Sequence, residues 1–301
     1  MTHQADEKRS QRRVRTVIGA VIAIPLLAAC HQVFTRGTDE VTVHAQAVAN
    51  VREVAAARVD VDPFEVAARK DPLSAFELAL DRYEAEVTDY TCRFVKQEKL
   101  KGRLRKPQTM RVKFRDEPLG IFMEWIENAD KCDRILFVRG MLPKTKQGVE
   151  QAWVDPHGWA IDAILGKRGG VKQPIHSALA EAASRRSVEQ FGFGSSLRLI
   201  LKYAMLAKSR NELDFDYLGP SRLNDRATYL FERILPYTGE AGEYPERTLL
   251  VHLDRENHMP IGVFAYADDA REDLLGSYVI DNVQLNVGLS ENDFDEEALG
   301  F

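Results

Sequence analysis

Residues 110–115 of the chain read Met-Arg-Val-Lys-Phe-Arg and alternate without interruption between an apolar and a basic side chain. Successive side chains of an extended strand point to opposite faces of a sheet, so this hexapeptide predicts a strand with one apolar and one basic face. Two further apolar runs follow at 121–126 and 135–138, separated by short linkers of turn-forming residues. Linkers this short join antiparallel neighbours, because a parallel return needs a crossover of about a dozen residues. The stretch therefore predicts an antiparallel meander with an apolar inner face and a basic outer face.

A helix is predicted immediately before the meander. Asp71 provides an N-cap and Pro72 suits the first helical position. One apolar stripe at spacings of three and four follows, ending near Thr88, and it predicts a helix that packs on the sheet. The stripe consists of Leu73, Phe76, Leu80, Tyr83 and Val87.

The remainder of the chain alternates between helical and strand signals. Helices are predicted over 175–187 and 197–209, and the second of these is apolar on most of its circumference. Strands are predicted over 92–99, 150–154, 213–218, 227–235, 247–253, 261–267 and 277–287.

Together these elements predict an α+β fold in which a strongly curved antiparallel sheet, a half-barrel, is covered by helices. Such a sheet either fills its concave side with its own side chains or leaves room for a guest molecule. Nine apolar side chains are predicted to face that side and form the candidate lining of a cavity: Phe94, Met110, Val112, Phe114, Ile121, Met123, Trp125, Ile135 and Phe137.

The amino terminus has the pattern of a bacterial lipoprotein signal peptide. A basic segment is followed by an apolar run over 16–26, which is short of the ~20 residues that span a bilayer comfortably. Residues 27–30, Leu-Ala-Ala-Cys, resemble a lipobox, so residues 1–29 are predicted to be removed and Cys30 to be lipidated. An unprocessed signal anchor is the alternative. By resemblance to the enterobacterial sorting rule, His31 after the cysteine favours the outer membrane, with the protein facing the periplasm.

Composition limits the domain organisation and the partners. Residues 30–70 are rich in Ala, Val and charged residues without a strand pattern, so they are interpreted as the lipidated cysteine and a tether, and 71–301 as one domain. The net charge is −5 over 301 residues, although the predicted signal peptide carries five basic and two acidic residues. The remaining chain is thus more acidic still, which argues against nucleic-acid binding.

Cys92 and Cys132 open the first and fourth predicted strands of the meander. Alternating strand directions place them at opposite ends of the sheet, about 25 Å apart. A disulfide requires Cα atoms within ~7 Å of each other, so we expect both cysteines to be small buried side chains instead.

No set of residues with a recognised catalytic or metal-binding spacing is present in the sequence. The histidines at 157, 176, 252 and 258 form no HExxH motif and no pair at metal-ligand spacing, so neither a metal nor a cofactor is predicted. Asp268 with Asp269, or Asp293 with Asp295, could act as an acid–base pair, but turns explain them better. Phe294 between two aspartates is interpreted as a side chain that holds the C-terminal segment on the core.

Several segments resemble the bacterial family called domain of unknown function 1571. They are residues 89–98, 110–115, 275–278 and 285–295, and the resemblance extends from about Pro72 to Phe301. The family has no assigned activity, so the resemblance implies no catalytic residues.

More distantly, the order helix, meander, helical insert and further antiparallel strands is similar to that of Lol-type lipoprotein carriers and related lipid-binding lipoproteins. The turn from Asp254 to Pro260 resembles a hairpin of those proteins. The resemblance implies a half-open, curved sheet that helices close over an apolar cavity for acyl chains.

Three hypotheses about function follow. The first is an envelope lipoprotein, without enzymatic activity, that binds a lipid, an acyl chain or a lipoprotein. The second is a structural or interaction module whose basic turn contacts a partner; this turn contains Lys99, Lys101, Arg103, Arg105 and Lys106. The third is a hydrolase of envelope polymers, which would require carboxylates clustered with His157 or His176.

Overall fold

The computed structural model describes residues 62–157 and 170–301. The predicted signal peptide, Cys30 and the predicted tether up to residue 61 lie outside the described residues. So do residues 158–169, between two strands of the sheet.

Twelve strands of the described part of the chain form one antiparallel sheet. In chain order they are β1 Asp89–Leu100, β2 Arg103–Leu104, β3 Gln108–Arg115, β4 Gly120–Glu127, β5 Cys132–Val138, β6 Gln151–Pro156, β7 Val171–Pro174, β8 Asp214–Leu223, β9 Arg226–Ile234, β10 Thr248–Asp254, β11 Pro260–Tyr266 and β12 Leu274–Leu285. Their order across the sheet is β7-β6-β5-β4-β3-β1-β12-β11-β10-β9-β8, and the short β2 pairs with the end of β1. The two halves of the chain therefore meet where β1 pairs with β12. Among the described residues β7 and β8 are edge strands that do not pair with each other, so the sheet stays open.

The period-two alternation read from the sequence sets the inner face of the meander. Phe94 of β1 lies opposite Met110 of β3, which lies opposite Trp125 of β4. Strands β5 and β9 are seven inter-strand spacings apart in the sheet, so in a flat sheet they would lie about 34 Å from each other. Phe137 of β5 and Phe231 of β9 nevertheless belong to one continuous core, so the sheet is strongly curved. The predicted α+β half-barrel is therefore confirmed.

Within the described residues four helices accompany the sheet: α1 Pro63–Lys70, α2 Pro72–Glu86, α3 Ala178–Ala183 and α4 Phe193–Ser209. Helix α2 is the one predicted from the apolar stripe. The Asp71 side chain accepts from the backbone N–H of Leu73 (3.1 Å), and Pro72 occupies the first turn, as predicted. None of the helices in 62–157 and 170–301 is long and apolar enough to cross a bilayer.

The predicted tether over 30–70 is wrong at its C-terminal end. Residues 63–70 form helix α1, which buries Phe64 and Ala68. The Phe64 ring stacks on His258 with 3.8 Å between the ring centroids, and the Tyr229 hydroxyl donates a hydrogen bond to Asp62. These partners lie far away in the chain, so the local sequence does not reveal them. The folded part therefore begins before residue 71.

The predicted helix over 175–187 is also largely wrong. Strand β7 ends at Pro174, and only Ala178–Ala183 is helical, capped by Ser177 and ended at Ser184. A single 3-10 turn, Val188–Gln190, follows. Helix α3 buries none of its side chains. The composition of this segment is helical, but without a stripe that packs on the core only a short helix forms.

Helix α4 lies close to α2 and to the sheet because it has a glycine directly before its first residue and another in its first turn. Gly192 has a φ of +116°, and a methyl group on it would lie 2.6 Å from Phe114. A methyl group on Gly194 would overlap the Tyr83 ring of α2. The backbone N–H of Phe193 donates to the Tyr90 hydroxyl (3.3 Å), which fixes the start of the helix on β1.

The C-terminal segment covers part of the outer face of the sheet. Phe294 is buried against Gly120, in a small second core with Phe122, Leu136 and Val138. This confirms the prediction that Phe294 holds the segment on the protein. The basic outer face is therefore partly covered: Lys113 pairs with Asp293 (2.9 Å) and Arg115 with Glu291 (2.8 Å).

The two cysteines of the described residues are both buried and both free, as predicted. Cys92 lies on β1 and Cys132 on β5, with β3 and β4 between them. Burial raises the pKa of both thiols, that of Cys132 to about 12. Both side chains are therefore protonated at neutral pH and are poor nucleophiles.

Candidate functional site

A cavity of about 500 Å³ lies between the concave face of the sheet and the segment that contains α3, the 3-10 turn and the first half of α4. Five of the nine candidate lining residues line it: Phe94, Met110, Met123, Trp125 and Ile135. The cavity volume falls within the range of ~300–1,000 Å³ that small-molecule sites usually have. Part of the concave face is thus hollow.

The other four candidates, Val112, Phe114, Ile121 and Phe137, do not line the cavity, although all are buried. Tyr90 stacks on Phe114 with 4.6 Å between the centroids and lies 4.7 Å from Phe193 of α4. This end of the concave face is filled by aromatic side chains. The sequence predicted which side chains point inward, but not where the filling ends.

The helical segment that covers the sheet supplies further apolar lining. Leu179 of α3, Val188 and Phe191 contribute from the segment before α4, and Leu199 and Ile200 contribute from α4 itself. The Phe191 ring meets Phe94 of β1 edge-on, with 5.0 Å between the ring centroids. The cover and the sheet therefore touch at one side of the cavity.

One end of the cavity is charged, and β1 carries the first ion pair there. Lys96 Nζ lies 3.3 Å from Glu98 Oε2, and both side chains are buried. The Tyr278 hydroxyl donates to Glu98 Oε1 (2.8 Å). Burial, together with the charge of Glu98, raises the pKa of Tyr278, so the phenol keeps its proton and remains a donor. Ser184, at the end of α3, donates to Glu98 Oε2 (3.0 Å) and accepts from Lys96 (3.1 Å).

A second ion pair comes from the other half of the sheet. Arg233 of β9 and Glu246, just before β10, are bonded to each other, and their side chains are 1% and 3% exposed. Arg233 Nη1 also donates to the Ile200 carbonyl of α4 (2.6 Å). Burial lowers the pKa of Arg233, and the Glu246 carboxylate opposes that shift. Arg186 approaches the same carboxylate, with Nη2 4.0 Å from Oε2.

The segment Ser184–Arg186 joins the two ion pairs. Ser184 and the backbone N–H of Arg185 bond to Glu98, while Arg186 faces Glu246. The four residues Lys96, Arg186, Arg233 and Glu246 all line the cavity. Its lining is therefore amphipathic, with an apolar part and a charged end.

Sequence reasoning missed this charged end. A signal for half of it exists, since the inward positions of β1 run Cys92, Phe94, Lys96 and Glu98 at period two, from apolar to charged. No comparable signal links Arg233 to them, because only the curvature of the sheet brings β9 to the same cavity.

Two polar atoms among the cavity-lining residues are buried without a hydrogen-bond partner in the described part of the chain. They are Trp125 Nε1 and Arg233 Nε. Buried donors are nearly always paired in folded proteins, so these two unpaired donors distinguish the wall of the cavity.

The residues considered for catalysis serve other contacts. His157 Nδ1 lies 2.7 Å from Asp133 and His176 Nε2 lies 2.8 Å from Glu189, and all four side chains are partly or largely exposed. Asp269 pairs with Arg247, and Asp295 accepts from the backbone N–H of Ala298. Within 62–157 and 170–301, no three histidine, cysteine or carboxylate side chains gather as a metal site.

The basic turn at the end of β1 is held locally. Lys99 lies 2.5 Å from Asp273, while Lys101, Arg103, Arg105 and Lys106 are exposed to solvent. The Gln97 side chain donates to the carbonyl of Arg105 (3.0 Å).

Comparison with known proteins identifies a family and gives several alignments with solved structures. The family model described as protein of unknown function, DUF1571, matches residues 87–298. No curated protein matches the chain. The chain spans about three fifths of the length of MucB, the first of the solved structures with which it aligns.

Three of these structures indicate the range of similarity. The MucA/MucB complex of Pseudomonas aeruginosa aligns at 12% identity and a TM-score of 0.42, over 75% of this chain and 61% of that chain. The lipoprotein LppX of Mycobacterium tuberculosis aligns at 13% and 0.37, over 75% and 100%. A LolA superfamily protein of Nitrosomonas europaea aligns at 9% and 0.29, over 73% and 97%.

Proposed function

The chain belongs to the DUF1571 family of proteins of unknown function, and we propose that it is a non-enzymatic lipoprotein of the cell envelope that binds a lipid, an acyl chain or a lipoprotein in its cavity. The observation that carries the proposal is the hollow of about 500 Å³ on the concave face, lined largely by apolar side chains. A hollow in a close-packed interior forgoes many contacts, and an acyl chain would restore them.

Hydrophobic burial would drive binding. Each buried methylene contributes ~0.8 kcal/mol, so ten of them would contribute about 8 kcal/mol before the cost of ordering the chain. Met110 and Met123 in the lining support a guest of variable shape, because the methionine side chain is flexible and polarizable. An acyl chain fits these properties better than a rigid ligand.

The proposed location rests on the amino terminus. We propose that a signal peptidase removes residues 1–29 and that Cys30 carries the lipid anchor, with the outer membrane favoured by His31. The protein would then hold its cavity close to the bilayer from which a lipid would come.

The proposal is tested by native mass spectrometry of the full-length protein purified from membranes. We expect lipid-sized adducts that survive removal of detergent. The variant Leu199→Trp should lose them, because the indole would fill space that Leu199 of α4 leaves open.

The matched control is Leu206→Trp on the same helix. Leu206 packs near Tyr244, outside the cavity, so this variant should retain the adducts. Thermal unfolding of both variants checks that they are folded. Equal lipid occupancy in the two tryptophan variants, or a wild-type protein that never carries lipid, would contradict the proposal.

A further inference from the structure

The charged end of the cavity contains more positive than negative charge. Three cationic side chains, Lys96, Arg186 and Arg233, face two carboxylates, Glu98 and Glu246. Four of the five are less than 10% exposed. A further pair on the lining, Asp130 and Lys131, lies 3.6 Å apart and is neutral as a unit. The cation in surplus is Arg186, whose side chain is 31% exposed, and a guanidinium binds carboxylates and phosphates strongly, so this end is suited to receive an anion.

The two arginines also have unused donors. Arg233 Nε is buried and has no partner within the described residues. The Arg186 guanidinium makes no hydrogen bond in the described part of the chain, since its distance of 4.0 Å to Glu246 is too long for one. An anionic oxygen placed beside Arg186 could therefore accept hydrogen bonds without displacing any that already exist.

The carboxylates, in contrast, have little capacity left for a cationic guest. Glu98 already accepts from Lys96, Ser184, Tyr278 and the backbone N–H of Arg185. Glu246 is bonded to Arg233. A positively charged headgroup would meet three cations and two carboxylates that already face cations.

We propose that this end of the cavity binds the anionic headgroup, a carboxylate or a phosphate, of an amphiphile whose acyl chain lies along the apolar lining. The inference rests on the proposed function, because the tail has to occupy the cavity. It adds the chemical class of the ligand. The alternation along β1 supports this orientation, since Phe94 lies two residues before Lys96 on the same face.

The test compares ligands that differ only in the headgroup. Delipidated full-length protein is incubated with equal amounts of oleic acid and methyl oleate, and separately with lysophosphatidylglycerol and monoolein, both with an oleoyl chain. Native mass spectrometry measures the bound fraction of each. We expect the anionic member to be bound at least about ten-fold more in at least one pair, since a hydrogen bond to a charged group is worth about a factor of ten or more. The pair that shows the preference identifies the carboxylate or the phosphate.

The variant Arg186→Gln should reduce that preference by about ten-fold while leaving the neutral ligands bound, because it removes one hydrogen bond to a charged group. Arg198→Gln is the matched control: this arginine of α4 pairs with Glu84 (2.8 Å), outside the cavity lining, and should keep the wild-type preference. Arg186 is partly exposed and its side chain makes no hydrogen bond within the described residues, so its replacement should be tolerated.

The outcomes separate this inference from the proposed function. Binding of methyl oleate and monoolein equal to that of their anionic counterparts would overturn the headgroup inference and leave lipid binding intact. A preference that Arg186→Gln does not change would overturn it as well. Binding of none of the four ligands would overturn both.

Discussion

His252 of β10 shows how the fold sets the chemistry of a single residue. Its side chain is fully buried, with Nδ1 3.0 Å from the Thr228 hydroxyl, and Nε2 has no partner among the described residues. Burial lowers the pKa of His252 from the ordinary 6.5 to about 4. The ring is therefore neutral in the folded protein over most of the physiological pH range.

This shift predicts a loss of stability in weak acid. Between about pH 6.5 and pH 4 the unfolded chain binds a proton at His252 that the folded protein does not bind, so the free energy of unfolding falls as the pH is lowered. The full effect is about 3 kcal/mol. The stability that the folded protein gains by keeping His252 neutral is fully present above pH 6.5 and is lost as the pH falls toward 4.

Urea denaturation of the wild type and of His252→Gln at pH 7 and pH 5 measures the effect. The variant should lose about 2 kcal/mol less than the wild type over this interval, since glutamine does not titrate. Val251→Ala, which truncates a buried side chain of the same strand and changes no titrating group, should keep the pH dependence of the wild type. Parallel pH profiles for His252→Gln and the wild type would refute the assignment.

The elements of the fold differ in how far the sequence predicts them. Strand β3 and its neighbours are predicted because period-two alternation over a half-buried face is a local property. Helix α2 is predicted because its cap and its stripe are both local. Helix α1 is not, since Phe64 and Asp62 are held by His258 and Tyr229, which lie far away in the sequence.

The local sequence likewise predicts only part of the candidate site. Alternation identifies the inward side chains of the meander, including Met110 and Trp125. It does not show that Tyr90 and Phe193 fill one end of the concave face, because that contact depends on where α4 packs. The Arg233–Glu246 pair depends on the curvature of the whole sheet and has no local signal.

The C-terminal segment on the outer face is an element whose packing can be tested. Phe294 is 1% exposed, and the Arg115 guanidinium lies 4.9 Å from its ring centroid. Phe294→Ala should reduce the free energy of unfolding by about 3–5 kcal/mol, the usual cost of removing a buried aromatic ring. Denaturant unfolding followed by circular dichroism measures this.

Glu297→Ala changes an exposed side chain of the same segment and is the control. It should alter stability by no more than about 0.5 kcal/mol. If Phe294→Ala lowered the free energy of unfolding as little as Glu297→Ala does, the segment would not form the second core with Phe122 and Leu136.

At the scale of the whole molecule, the proposed anchor and the proposed cavity have to work together. Thirty-two positions separate Cys30 from Asp62, where the described structure begins. Even a fully extended chain of that length reaches at most about 110 Å. An anchored protein would therefore keep its cavity near one bilayer and would exchange lipid with that bilayer, or with a partner that comes to it.

Two alternatives remain for the amino terminus, and they predict different mature chains. A processed lipoprotein begins at Cys30 and carries acyl chains on that residue, whereas a signal anchor retains residues 1–29. We expect mass spectrometry of the membrane-purified protein to find the first form, and cells grown with an alkyne-bearing fatty acid to label it. Cys30→Ala should abolish the label. Cys92→Ala should not, because Cys92 is a buried thiol of β1. A mature chain that still contains residues 1–29, or a Cys30→Ala variant that is labelled like the wild type, would exclude the lipoprotein.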